Sequence, residues 1–128
     1  MTEQQVISKL KKVIPDLIKT GEWDSDDCYS KKFNTYLEIK CRTKHWDELG
    51  IQKDKWDHLR QYKKCRFIVQ TPKGMWSWDL HKVSEPTWYR RLGPTSTHYK
   101  HFSIVDECWK EIGYLNIKDA KDISHLLL

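Results

Sequence analysis

The chain has no long apolar run. Nothing in its 128 residues approaches the roughly 20 apolar residues a membrane helix needs, so a membrane-spanning class is not expected. The opening Met1-Thr2-Glu3-Gln4-Gln5 lacks the basic and then apolar segments of a secretory signal. A cytoplasmic location is the expectation. Cysteine is sparse: Cys28, Cys41, Cys65 and Cys108 include no C-x-x-C pair and no Cys/His spacing of a zinc site. Reduced, buried thiols are therefore expected. The six histidines are scattered, with His98 and His101 the one close pair, so a histidine-held metal is disfavoured. There is no internal repeat and no low-complexity linker, and residues 1–128 read as one domain.

Charge and tryptophan are abundant. Hydrophobic content is 38% and charged content 32%, which suits a soluble globular domain. Seven tryptophans read mainly as core and rim packing, with some available as stacking platforms for bases. The net charge of +5 is unevenly placed. Residues 40–66 carry nine Lys/Arg against four Asp/Glu, and residues 81–101 carry four against one. Both termini are slightly acidic. A polyanionic partner follows from that surplus, alongside the simpler reading of a solvated helix face.

Apolar spacing predicts an amphipathic helix over residues 3–19, kinked or restarted at Pro15. Residues 22–30 form a short acidic segment. Lys31-Lys32-Phe33-Asn34 reads as a hairpin connection into a strand at 35–42. Residues 46–50 read as loop and 51–64 as a helix. Residues 66–70 and 75–80 read as strands around the Thr71-Pro72-Lys73-Gly74 turn. Residues 84–101 read as an irregular loop, and 104–112 and 117–127 as closing helices. This order suggests an α/β fold with a mixed central sheet flanked by helices.

The chemistry centres on Tyr36-Leu37-Glu38-Ile39-Lys40-Cys41-Arg42. Alternation puts Tyr36, Glu38, Lys40 and Arg42 on one strand face and Leu37, Ile39 and Cys41 on the other. A hairpin centred between Lys32 and Phe33 places Asp27 directly opposite Glu38. Opposed side chains lie roughly 4.5–5.5 Å apart at Cβ, and two carboxylates so close favour a cation between them. Mg²⁺ suits such an oxygen site. Lys40, on the same face, is placed to orient a water or to stabilise charge building on phosphorus. Asp24 and Asp26 fall on the other face in this register, and a one-residue slip hands the role to Asp26. The bland alternative is an exposed strand face with a cross-strand ion pair. The chain also contains a literal Pro15-Asp16, which reads as a decoy because it lies in the helical segment with the acidic segment between it and Glu38; Asp16 is the alternative ligand if the hairpin register is wrong. Trp88-Tyr89-Arg90-Arg91 and His98-Tyr99-Lys100-His101 interleave aromatic and basic residues. That mix suits phosphate neutralisation with base stacking, and equally a loop folding its aromatics onto the core.

Asp27-Cys28-Tyr29-Ser30 followed by residues 36–42 resembles the core of the PD-(D/E)XK nuclease superfamily. The likeness extends through Ile51-Gln52-Lys53-Asp54-Lys55-Trp56 and residues 67–74, and is nearest to small phage-type members. It implies the restriction-endonuclease-like fold and a Mg²⁺- or Mn²⁺-dependent DNA endonuclease, in a bacterial or phage-infected cell. It implies metal ligation by Asp27, Glu38 and the backbone carbonyl of Ile39, with Lys40 assisting the water. Gln52 or Lys55 on the following helix is implied as a helper. Arg42, Lys44, Lys53, Arg90 and Arg91 are the expected DNA contacts. The small size favours recognition of DNA structure, such as a branched junction, over a long sequence. Symmetric cutting of two strands would require a homodimer. The rival expectations are a non-catalytic nucleic-acid-binding module and a plain protein-interaction domain.

Overall fold

A computed structural model describes residues 1–20, 27–94 and 107–128. The first helix, α1 (Glu3–Leu10), opens on a capping box in which Thr2 and Gln5 bond reciprocally. It is much shorter than the expected span of 3–19. The peptide nitrogens of Val13 and Ile14 both return to the Leu10 carbonyl, and Pro15 then has no amide to continue the ladder. Leu17 is still buried, but Val13 is 48% exposed, so the apolar spacing there came from a turn.

After β1 (Ile18–Lys19) the chain makes the hairpin of β2 (Asp27–Ser30) and β3 (Thr35–Cys41). Its register pairs Asp27 with Glu38, Cys28 with Leu37, Tyr29 with Tyr36 and Ser30 with Thr35, as the turn chemistry predicted. Asn34 takes a positive φ of 48°, a conformation Asn tolerates better than most residues. The next segment corrects two expectations. Residues 48–52 are not loop and helix but a strand, β4 (Glu48–Gln52), and the helix α2 is confined to Lys53–Arg60. Leu49 and Ile51 are buried while Glu48, Gly50 and Gln52 are not, an alternation of strand period. β5 (Cys65–Thr71) then returns parallel to β3, and β6 (Gly74–Trp78) folds back antiparallel to it.

The C-terminal third departs furthest from expectation. Residues 89–94 form β7 (Tyr89–Pro94), and β8 (Glu107–Asn116) is a strand where a helix over 104–112 was expected. Ile104 itself lies outside the described residues. The expected helix over 117–127 is two short 3-10 turns, Ile117–Asp119 and Ser124–Leu127, around β9 (Lys121–Asp122). Gly113 makes β8 possible as a strand under a cover: a Cβ there would meet Pro86 Cγ at 2.5 Å and Trp88 Cζ3 at 2.9 Å.

The architecture is mixed α/β, with two α-helices among the described residues. A six-stranded mixed sheet runs β1-β2-β3-β5-β6-β9, and a separate antiparallel sheet runs β4-β8-β7. Each face of the large sheet has its own core. Leu37, Ile39, Ile68 and Met75 pack with Val6, Ile7 and Leu10 of α1. On the other face Phe67, Val69, Trp76 and Trp78 pack with Trp56 and Leu59 of α2 and with Leu49, Ile51 and Leu115 of the small sheet. The Trp78 indole donates to the Asn116 carbonyl at 2.9 Å, tying the two sheets. Among the described residues no helix is long and apolar enough to cross a membrane.

Candidate active site

β3 is hydrogen-bonded on both edges, to β2 and β5. Its Glu38 lies on the face that holds the tryptophan-rich core, and the side chain is fully buried at 0% exposure. Glu38 Oε1 sits 3.2 Å from Lys40 Nζ and 3.8 Å from Lys55 Nζ. Two residues along one strand share a face, which accounts for Lys40. Lys55 arrives from the first turn of α2, held down by the buried Trp56 and Leu59 on the same helix.

Neither Glu38 oxygen has a hydrogen-bond partner among the described residues. The lysines are near enough for charge pairing without hydrogen-bond geometry. Burying a carboxylate is costly unless cations and donors surround it, and an orphaned buried acceptor points to a missing partner.

The lysines open onto a recess of about 220 Å³, lined by Lys40, Arg42, Gln52, Lys55 and Tyr114 among others. Gln52 is not on the helix, as the resemblance implied, but is the last residue of β4 and the N-cap of α2. Its side chain makes no capping bond. The structure therefore brings together Glu38, Lys40, Gln52 and Lys55.

Asp27 is opposite Glu38 in register, which puts position 27 on the Glu38 face of the sheet; its side chain lies outside the described residues, as do Asp24 and Asp26. Asp16 is placed elsewhere. Its carboxylate accepts from Ser30 Oγ at 2.7 Å and from the Lys32 amide at 2.8 Å. These bonds hold its pKa below the ordinary value of 3.8, the Lys32 amide first and Ser30 second. Ser30 alternates with position 27 along β2, so Asp16 serves the hairpin turn from the other side. The Ile39 side chain is buried among the α1 core, leaving its backbone carbonyl as the one group it could offer.

The expected DNA contacts divide. Arg42, Lys44 and Arg91 line a groove of about 1000 Å³ beside the recess, together with Trp46 and Tyr114. Arg90 and Arg91 alternate along β7, so they lie on opposite faces. Arg91 stands over Tyr114 at 5.6 Å, whereas Arg90 stands over Trp109 at 5.2 Å. Lys53 is engaged with Asp57 at 2.8 Å, and that bond raises its pKa above 10.5. It does not line the groove.

His45 bonds Thr71 Oγ1 at 2.9 Å and His81 bonds the Tyr62 carbonyl at 2.6 Å, both structural uses. His98 and His101 lie outside the described residues. Burial pushes the Cys65 thiol up from 9.0, so it is a poor nucleophile.

Sequence reasoning missed Tyr114 as a wall of the site. No clear signal pointed to it: apolar and polar residues mix on both faces of residues 109–116, so the strand period is not visible in the sequence. Among the described residues no group of three or more His, Cys, Asp or Glu side chains could hold a metal. Comparison with family models, curated proteins and solved structures finds no match.

Proposed function

We propose that this protein is a divalent-metal-dependent DNA endonuclease of the PD-(D/E)XK superfamily with a restriction-endonuclease-like fold, acting by hydrolysis of a phosphodiester. One observation carries the reading: the buried Glu38 carboxylate, with no hydrogen bond to either oxygen among the described residues, is paired with Lys40 and Lys55 and stands opposite position 27. The hairpin, the crossover helix α2 and the parallel return of β5 support it, because they bring Lys55 to the strand that carries Glu38.

Glu38, Asp27 and the Ile39 carbonyl would hold Mg²⁺ or Mn²⁺. The unmet oxygens of Glu38 and the all-oxygen donor set fit such an ion. When bound, the ion supplies Lewis acidity and lowers the pKa of a coordinated water. Lys40 Nζ, on the same face, orients the attacking water. Lys55 Nζ stabilises the charge that develops on the phosphoryl oxygens. Gln52, at the recess, is positioned to hydrogen-bond water or phosphate. Arg42 holds the phosphate next in line. Symmetric cutting of two strands would need two copies of the chain.

A second reading has its own support. Arg42, Lys44, Trp46 and Arg91, which line the neighbouring groove, suit a non-catalytic nucleic-acid-binding module as well. The test uses supercoiled, linear, single-stranded and four-way-junction DNA with Mg²⁺, Mn²⁺ or EDTA. Glu38→Ala and Lys40→Ala should each lower metal-dependent cleavage by about 10²–10³-fold. Cleavage undiminished in either variant would remove the assignment. Binding without cleavage under every metal would establish the second reading. Asp27→Ala, Asp26→Ala and Asp16→Ala in parallel identify the first ligand.

A further inference from the structure

Trp46 is 64% exposed, a costly place for the largest apolar side chain. It lines the groove that Arg42, Gly50 and Tyr114 share with the Lys40–Lys55 recess. Its exposure is not that of a slack loop. On one side His45 is bonded to Thr71 Oγ1 at 2.9 Å and packs its ring on Trp76 at 4.9 Å. On the other side the Asp47 carbonyl accepts the Ile117 amide at 2.9 Å. The backbone is thus pinned before and after an indole that faces the groove. A rigid aromatic surface of this kind loses little entropy on binding.

The charges around it are mixed. Arg42, Lys44 and Arg91 are opposed in the same lining by Asp47 and Glu48. A balance of only one positive charge is a weak cradle for duplex DNA, whose binding depends on neutralising several phosphates. Arg91 over Tyr114 extends the flat surface beside the indole. Within a duplex both faces of each base are covered by neighbours, so an indole has nothing to stack on. An unpaired base offers that face.

We infer that the groove holds an unpaired DNA segment next to the scissile phosphate, with a base stacked on Trp46. The substrate class is then DNA with a single-stranded arm or gap beside the cut rather than intact duplex. This rests on the nuclease reading of Glu38, and the experiment keeps the two apart. Binding is measured in EDTA, where no cleavage occurs, by fluorescence anisotropy with a labelled oligothymidylate, a blunt duplex and a forked duplex. Trp46→Ala should weaken oligothymidylate and fork binding about 10-fold or more and leave blunt-duplex binding within about 2-fold. Trp46→Phe should restore most of the loss, because it keeps a ring. Equal weakening on all three DNAs, or none on any, overturns the inference even if Mg²⁺-dependent cleavage is found. A Trp46-dependent preference for unpaired DNA sustains it; the same preference in a protein that does not cleave keeps Trp46 as the stacking surface and overturns the placement beside a scissile phosphate.

Discussion

At the scale of single residues, the two carboxylates Glu38 and Asp16 have separate tasks. Glu38 is buried with unmet oxygens, whereas Asp16 has its bonds filled by Ser30 and Lys32. Asp16 is not remote in effect, since it ties the turn whose register puts position 27 against Glu38. Its lowered pKa gives a sign. A carboxylate depressed by folding adds stability above its unfolded pKa and loses it as pH falls through the folded value. Asp16→Ala should therefore melt below the wild type at neutral pH. The gap should hold down to about the ordinary carboxylate value and close under stronger acid, as read by thermal melts across pH. An unchanged gap at low pH would mean that Asp16 acts through packing.

At the scale of elements, the weakest local choice falls at the site. α2 begins on Gln52, which makes no capping bond, although Ser or Asp would cap better. Natural proteins tolerate such deficits where a side chain is needed for function. Gln52→Ser should raise stability by about 0.5–1 kcal/mol in denaturant titrations while cleavage falls. A gain in stability with full activity would remove Gln52 from the site. β8 has the opposite character, with Gly113 forced by Pro86 and Trp88 against the strand. Gly113→Ala should cost about 1–3 kcal/mol by overpacking; equilibrium unfolding within experimental error of the wild type would show that the cover shifts freely.

Elements were legible where local chemistry and period agreed. The β2–β3 register followed from an Asn-containing four-residue turn and strict alternation, and Lys40 followed from Glu38. β4 was hidden because its five residues run straight into the helical pattern of 53–60. β7 and β8 were hidden by Gly93, Pro94 and Gly113, read as loop or helix punctuation. The strand partner that explains Gly113 is distant in sequence, and only packing reveals it. Ile117, Ile123, Leu126 and Leu127 mimic helical spacing, but short 3-10 turns satisfy it just as well.

At the scale of the molecule, the two sheets divide the labour. The large sheet holds Glu38 and Lys40. The small one supplies Gln52 and Tyr114 to the recess and Arg91 to the adjoining groove. Counterion release makes this testable, because each phosphate contact adds about 0.7–0.9 to the slope of log K against log salt. Arg42→Ala and Arg91→Ala should each flatten that slope by roughly one contact, and Arg90→Ala, on the other face of β7, should leave it alone. An effect of Arg90→Ala equal to that of Arg91→Ala would move the DNA path off the groove.

The double pairing of β3 has a temporal consequence. Its peptide groups are locked by β2 and β5, with a packed core above and another below. Strands so enclosed open only when the whole domain does, whereas a ribbon paired on one edge can fray by itself. Among the described residues β7 pairs only with β8. The carboxylate strand and the arginine ribbon thus keep different clocks: the one is still for as long as the fold lasts, and the other, held by one edge among the described residues, is the first that can fray.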